Sequence, residues 1–181
     1  MIGIHPTNAM YYADYKKFDV LNGEGYRFSL FVSGCNHGCP GCFNKVAQCY
    51  KYGKLFDKVI EDQIISDLNI DYIPIDGLSL LGGCPFCNAK ELIPFILRVK
   101  KECPQATIWA WAGETYEEMK ANPDKWTLFT LCDVVIDGLF VEELKDLRLF
   151  WRGSSNQRVI DVKKSVEMNQ PILYAPAYIN E

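Results

Sequence analysis

The stretch Cys35-Asn36-His37-Gly38-Cys39-Pro40-Gly41-Cys42-Phe43-Asn44 follows closely on the apolar run Phe28-Ser29-Leu30-Phe31-Val32. That run reads as a buried strand, so its end delivers three thiols at C-x3-C-x2-C spacing into one turn-rich loop. Soft sulfur ligands select iron-sulfur clusters or zinc over hard cations. Gly34, Gly38, Pro40 and Gly41 let the backbone wrap closely around a bound object, and Asn36 and Asn44 tolerate the tight or left-handed turns this needs. Three ligands on a cubic 4Fe-4S cluster would leave one iron open to a substrate. Spacing alone also allows a structural zinc site of Cys3His type with His37 as fourth ligand, beside the plainer reading of His37 as a loop residue.

Composition narrows the setting. At 181 residues, with 49% hydrophobic and 13% aromatic content, the chain reads as a single packed domain. Its net charge of −4, from 19 basic and 23 acidic residues, supplies no overall positive field for nucleic acid or an anionic membrane. The opening Met1-Ile2-Gly3-Ile4-His5-Pro6 lacks the basic start and apolar run of a signal peptide, and no apolar run approaches ~18 residues. Cytoplasmic residence is the expectation, with the eight cysteines reduced or metal-bound. No internal repeat or dividing linker is evident.

Outward from the loop, Ile60, Ile64, Ile65 and Leu68 mark one stripe of an amphipathic helix over 59–68. Gly77-Leu78-Ser79-Leu80-Leu81 reads as a buried strand, 89–100 as a helix that tolerates Pro94 if it begins shortly before it, and 107–111 as a strand. A short helix begins at 115–120, and strands follow at 134–136 and 159–162. Alternating strands and helices imply an α/β fold with a parallel sheet and right-handed crossovers. Five or so units are too few for a closed eight-stranded barrel, so an open, partial β/α barrel is expected. Residues 1–18 form an extra strand, an arm or a leader, with Tyr11, Tyr12 and Tyr15 as packing groups; 19–162 form the domain and 163–181 a tail.

In such sheets ligands bind beyond the carboxyl ends of the strands. The cysteine loop, Gly82-Gly83, Gly113 and Asp137-Gly138 all follow strand ends and would gather on one rim. Two glycines there let a ligand lie against bare backbone. Cys84-Pro85-Phe86-Cys87 reads first as two incidental thiols; the alternatives are a redox dithiol or two ligands of a second metal, joined by Cys49 or Cys103. Cys132 reads as core. Trp109 and Trp111 share one strand face as packing groups, and Asp137 either orients a ligand or caps a turn. Residues 151–158, with Arg152 and Arg158, form a solvated turn or a docking element.

C-x3-C-x2-C followed by an aromatic resembles the signature of radical S-adenosylmethionine (SAM) enzymes. The surrounding words are similar to one branch, the activating proteins of anaerobic (class III) ribonucleoside-triphosphate reductase. These words are Asp19-Val20-Leu21-Asn22-Gly23-Glu24-Gly25, Leu30-Phe31-Val32-Ser33-Gly34-Cys35, Gly77-Leu78-Ser79-Leu80-Leu81-Gly82-Gly83, Ile108-Trp109-Ala110-Trp111-Ala112-Gly113, Val135-Ile136-Asp137-Gly138-Leu139-Phe140 and Trp151-Arg152-Gly153-Ser154-Ser155-Asn156-Gln157-Arg158.

The resemblance implies a partial barrel of the radical SAM type in which Cys35, Cys39 and Cys42 hold a 4Fe-4S cluster and SAM chelates the open iron. Gly41, Cys42 and Phe43 would flank the adenine, and Gly82 and Gly83, chiefly Gly83, the methionine moiety. Where the family has an acidic residue after these glycines this chain has Cys84, which removes one acceptor for the amino group. The implied reaction is reductive SAM cleavage, fed by an external one-electron donor such as a flavodoxin. It generates a radical on a glycine near the C-terminus of the large subunit of the reductase. No side-chain acid or base is required. Another glycyl-radical enzyme as partner, a small-molecule radical SAM reaction and a zinc-binding interaction module are the alternatives.

Overall fold

An apolar strand stays in water unless neighbours cover both its faces, and the runs singled out above cover one another. The computed structural model describes residues 9–176. Residues 1–8 of the expected leader and 177–181 of the tail lie outside the described residues. In chain order the elements are β1 (Tyr11–Asp19), β2 (Arg27–Val32), β3 (Lys54–Leu55), α1 (Lys58–Leu68), β4 (Gly77–Gly82), α2 (Ala89–Glu102), β5 (Thr107–Trp111), α3 (Tyr116–Lys120), α4 (Pro123–Leu131), β6 (Val134–Asp137), β7 (Arg158–Asp161) and α5 (Val162–Met168).

The strands form one seven-stranded sheet in the order β3-β1-β2-β4-β5-β6-β7, which is not closed. β2, β4, β5 and β6 run parallel. The expectation of a parallel sheet is corrected at both edges, where β1 and β3 on one side and β7 on the other are antiparallel. The reason is connection chemistry: a parallel neighbour needs a crossover, and the links β1 to β2 and β6 to β7 contain no α-helix.

Each parallel step, from β2 to β4 to β5 to β6, moves the same way across the sheet. Right-handed crossovers then stack their helices on a single face. On that face Phe28, Leu30, Leu78, Leu80, Ile108 and Ala110 meet Ile64, Leu92, Phe95, Ile96, Leu128 and Phe129, all buried. The opposite face carries a smaller cluster of Trp109, Val134 and Ile136, flanked by Trp111, Trp151, Val159 and Tyr174. Alternation along β5 explains the split, with Trp109 and Trp111 on one side and Ile108 and Ala110 on the other.

Local chemistry sets the boundaries. Asp57 caps α1 by accepting from Val59 N and Ile60 N, and Thr115 and Glu118 form a capping box on α3. α4, absent from the reading of the sequence, starts at Asn122-Pro123, where the Asn122 side chain accepts from Asp124 N and Lys125 N. Pro94 lies deeper in α2 than expected, on its exposed side, so the bond it cannot donate is lost toward water. The tail packs back: Asp161 N donates to Ile172 O and Tyr174 N to Val159 O, both at 2.9 Å.

The amino-terminal edge of the sheet is closed by one cation. Arg27, 1% exposed, donates to Ser79 Oγ, Thr107 Oγ1, Leu78 O and Thr107 O at 2.7 to 2.9 Å, with its guanidinium 5.3 Å from the Trp109 ring. Burial pulls its pKa down to about 10, opposed by Asp76. An Arg27→Met chain keeps the volume but strands the carbonyls of Leu78 and Thr107. Loss of about 3 kcal/mol or more is expected from the urea midpoint; a shift below about 1 kcal/mol would show that water replaces the guanidinium.

Candidate functional site

The carboxyl ends of the four parallel strands are laced together by backbone. Gly83 N donates to Val32 O at 2.7 Å and Cys84 N to Gly34 O at 2.8 Å, joining the segments after β2 and β4. Ala112 N donates to Ile136 O at 2.7 Å and Gly138 N to Glu114 O at 2.9 Å, joining those after β5 and β6. A Cβ on Gly83 would meet Gly34 O at 2.6 Å and Ala47 O at 2.7 Å. This glycine is therefore required by the approach of the cysteine loop itself.

The loop is held at both ends. Gly34 N and Cys35 N donate to Ala47 O and Gln48 O at 2.8 and 3.1 Å, and Ser33 Oγ donates to Tyr52 O at 2.7 Å. Gly34 adopts φ +102°, with the Tyr50 ring where a Cβ would stand. Between these anchors Cys42 N donates to Cys39 O at 3.3 Å. Cys35, Cys39 and Cys42 are free thiols of intermediate burial, and the ring of Phe43 is 98% exposed.

The tightest group of potential metal ligands among the described residues lies beside this loop and contains none of its three cysteines. It consists of His37, Cys84, Cys87 and Glu114, whose ligand atoms lie within 4.8 Å of one another. His37 Nε2 is 3.4 Å from Glu114 Oε2 and 3.9 Å from Cys87 Sγ, and Cys84 Sγ is 3.8 Å from Glu114 Oε2. Cys35 adjoins it through hydrogen bonds to Cys84 and Cys87. Hydrogen bonds from Cys35, from Cys84 and from His37 lower the pKa of the Cys87 thiol, against its burial. Its bond and that of Glu114 push His37 up to about 10.

The C-x2-C pair is thus drawn into one group with His37 and Glu114. Neither Cys49 nor Cys103 joins it: Cys49 is exposed, and Cys103, buried between α1 and α2, donates to Ile65 O. Its partners are His37, read above as a loop residue or as the fourth ligand of a zinc site, and Glu114, not singled out at all. The rim rule could have found Glu114, since it follows Gly113 directly after β5. A Cβ on Gly113 would lie 2.2 Å from the His37 ring, so this glycine makes room for the histidine.

Asp137 caps and pairs: its carboxylate accepts from Tyr116 N at 2.8 Å and from Arg158, which also reaches Glu117. Residues 151–158 are tied inward, with Gln157 Oε1 accepting from Gly153 N and Nε2 donating to Gly138 O, and Arg152 donating to Gln157 O. Cys132 is core, 4% exposed. No helix among the described residues is long and apolar enough to cross a membrane.

Comparison with known proteins places this geometry. A family model described as a 4Fe-4S single cluster domain matches residues 21–160, a span that contains the cysteine loop. A relative from Haemophilus influenzae is 46% identical over 150 residues, 82% of this chain and 96% of its own. One from Escherichia coli K12 is 45% identical over 152 residues, 83% and 97% of the two chains. One from enterobacteria phage T4 is 37% identical over 143 residues, 78% and 87%. All three are named anaerobic ribonucleoside-triphosphate reductase-activating protein. With more than four-fifths of this chain and nearly all of each bacterial relative aligned, a 4Fe-4S domain match and the cysteine loop clamped at the rim of its sheet, the chain belongs to the family of anaerobic ribonucleoside-triphosphate reductase-activating proteins.

Proposed function

We propose that this protein is the activase of an anaerobic ribonucleoside-triphosphate reductase, cleaving SAM reductively and generating a glycyl radical on the large subunit of that reductase. The observation that carries the reading is the loop of three free thiols, Cys35, Cys39 and Cys42, anchored beyond the carboxyl ends of the parallel strands in a chain of this family. The open sheet with its helices on one face supports a partial barrel of the radical SAM type.

The residues present fit a 4Fe-4S cluster. Three unbridged thiols follow one anchored strand end, and Gly34, Gly38 and Gly41 at φ +102°, +62° and +66° bend the backbone as a close wrap requires. When bound, such a cluster supplies one electron to the sulfonium of SAM. Cys35, Cys39 and Cys42 would hold it. Backbone of Gly82 and Gly83 would bind the methionine moiety, and Gly41, Cys42 and Phe43 would flank the adenine. With Cys84 in place of the acid, its thiol drawn into the group with His37 and Glu114, the acceptors for the amino group are backbone carbonyls. A ring as exposed as Phe43 supports a contact completed by a ligand.

The partner follows from the reaction and the surface. The substrate carbon lies within another protein, so the rim must admit a peptide. Around it stand exposed apolar side chains, Phe43 and Val46 on the cysteine loop and Leu144, Leu147 and Phe150 on the loop whose Glu142 carboxylate lies against Gly41. A one-electron donor such as a flavodoxin feeds the site, and the setting is cytoplasmic.

The test is anaerobic reconstitution with iron and sulfide, then reductive SAM cleavage with and without the reductase. Wild type is expected to yield methionine and 5′-deoxyadenosine, and the reductase a glycyl-radical signal in electron paramagnetic resonance; cleavage with no radical on the reductase would redirect the activity to another substrate. Cys39→Ala should abolish cleavage with unchanged far-ultraviolet circular dichroism, and retained cleavage would overturn the ligand assignment. Gly83→Ala drives a methyl group into the carbonyls of Gly34 and Ala47, so iron retention is expected to fall along with cleavage. Full iron content with weakened SAM binding would instead place the need for this glycine in the ligand.

A further inference from the structure

We propose that His37, Cys84, Cys87 and Glu114 form a second metal centre, a tetrahedral zinc site distinct from the cluster ligands of the cysteine loop. Tetrahedral zinc holds sulfur at about 2.3 Å and nitrogen or oxygen at about 2.0 to 2.1 Å, which makes the ligand-to-ligand edges about 3.3 Å for nitrogen to oxygen and about 3.5 Å for sulfur to either. The corresponding separations are 3.4 Å from His37 Nε2 to Glu114 Oε2, 3.9 Å from His37 Nε2 to Cys87 Sγ and 3.8 Å from Cys84 Sγ to Glu114 Oε2. These three edges lie within a few tenths of an ångström of tetrahedral values, and all four ligand atoms lie within 4.8 Å of one another.

The backbone beneath these groups is built to hold them. Cys84 and Cys87 sit on one tight turn, with Cys87 N donating to Cys84 O at 3.1 Å, the C-x2-C bite of many structural zinc sites. Asn88, 1% exposed, ties that turn to the cysteine loop by donating to Ser33 O, Gly34 O and Cys84 O. Glu114 is aimed by its neighbours: Lys125 Nζ takes Oε1, which leaves Oε2 facing His37 and Cys84. Such partners behind a ligand orient it and raise metal affinity. Side-chain exposures of 16% for His37 and 12% for Glu114, with Cys84 at 1%, keep water from completing the shell.

Charge and chemistry favour zinc. Two thiolates and a carboxylate bring three negative charges, which a divalent cation and the Lys125 ammonium balance. Two sulfurs with one nitrogen and one oxygen in tetrahedral array suit zinc, and a redox-inert ion draws no electron from an adjoining cluster. The consequence is mechanical. His37 lies between Cys35 and Cys39, so zinc would staple the cluster loop to the segments after β4 and β5.

The full chain, prepared without oxygen from medium supplied with iron and zinc, is analysed for both metals by mass spectrometry. The expected wild-type chain carries one zinc in addition to cluster iron. A Cys84→Ser/Cys87→Ser chain is expected to lose zinc and keep iron, while Cys39→Ala loses iron and keeps zinc, which separates this site from the reading of the cysteine loop. Cobalt added in place of zinc should give thiolate charge-transfer and tetrahedral ligand-field absorption, absent from the double variant. Glu114→Gln, a milder change, should weaken zinc by about tenfold or more in competition with a chromophoric chelator. A wild-type chain that takes up neither zinc nor cobalt, unchanged zinc affinity in Glu114→Gln, or a double variant that loses iron rather than zinc would each overturn the proposal.

Discussion

The close approach of two backbones at the end of the sheet is the constraint on which the rest depends. Gly83 N reaches Val32 O at 2.7 Å and Cys84 N reaches Gly34 O at 2.8 Å, so β2 and β4 stay paired past their last ladder rungs. Glycine at 34 and 83 makes this possible, because side chains there would run into Tyr50, Ala47 O and Gly34 O. With the two strand ends pinned, the cysteine loop leaves the sheet in one direction only. Its return through residues 45–48 is fixed by bonds from Gly34 N and Cys35 N to Ala47 O and Gln48 O. A loop so anchored would lose little further entropy on closing around a cluster.

The two ends of the parallel strands are treated in opposite ways. At the amino end a buried guanidinium, Arg27, satisfies the carbonyls of Leu78 and Thr107 and rests against Trp109, closing that end with a group that cannot be withdrawn without leaving polar atoms stranded. At the carboxyl end backbone does most of the lacing, helped by the Asn88 amide that ties the C-x2-C turn to the cysteine loop. Asp137, 1% exposed, paired with Arg158 and capping α3, fixes the last of the four parallel strands to the helical layer. The division of labour follows from strand polarity.

Most of this was legible from the residues. Leu78 to Leu81 and Val134 to Ile136 are apolar runs bounded by Gly or Asp, and the Ile60, Ile64, Ile65, Leu68 stripe has a single helical reading. α4 was missed because its apolar residues, Trp126, Leu128, Phe129 and Leu131, mark no narrow stripe, and only Asn122-Pro123 announces it. The antiparallel edges were hidden for a different reason. Strand direction is set by the connection, and neither the Gly-rich turn before β2 nor the long link before β7 declares its path locally. In the site, the three cysteines and the glycines were readable as spacing and as positions on a rim. The gathering of His37 with Glu114 was not, because it joins residues 77 positions apart through sheet order, which no local pattern encodes.

That gathering bears on how five thiols and one imidazole share one rim. Cys35 hydrogen-bonds to Cys84 and Cys87, so thiols of the loop and of the C-x2-C turn compete for the same space. What divides them is attachment. Cys39 and Cys42 ride on the part of the loop bent by Gly38 and Gly41, both at positive φ. Cys84 and Cys87 are fixed to the start of α2, under Asn88 and over the buried ring of Phe86. An ion that needs preset tetrahedral corners would fit the C-x2-C pair with His37 and Glu114, and a cube that the chain must wrap would fit the glycine-bent loop. Difference of attachment, more than ligand identity, is what would let two soft-metal sites stand side by side.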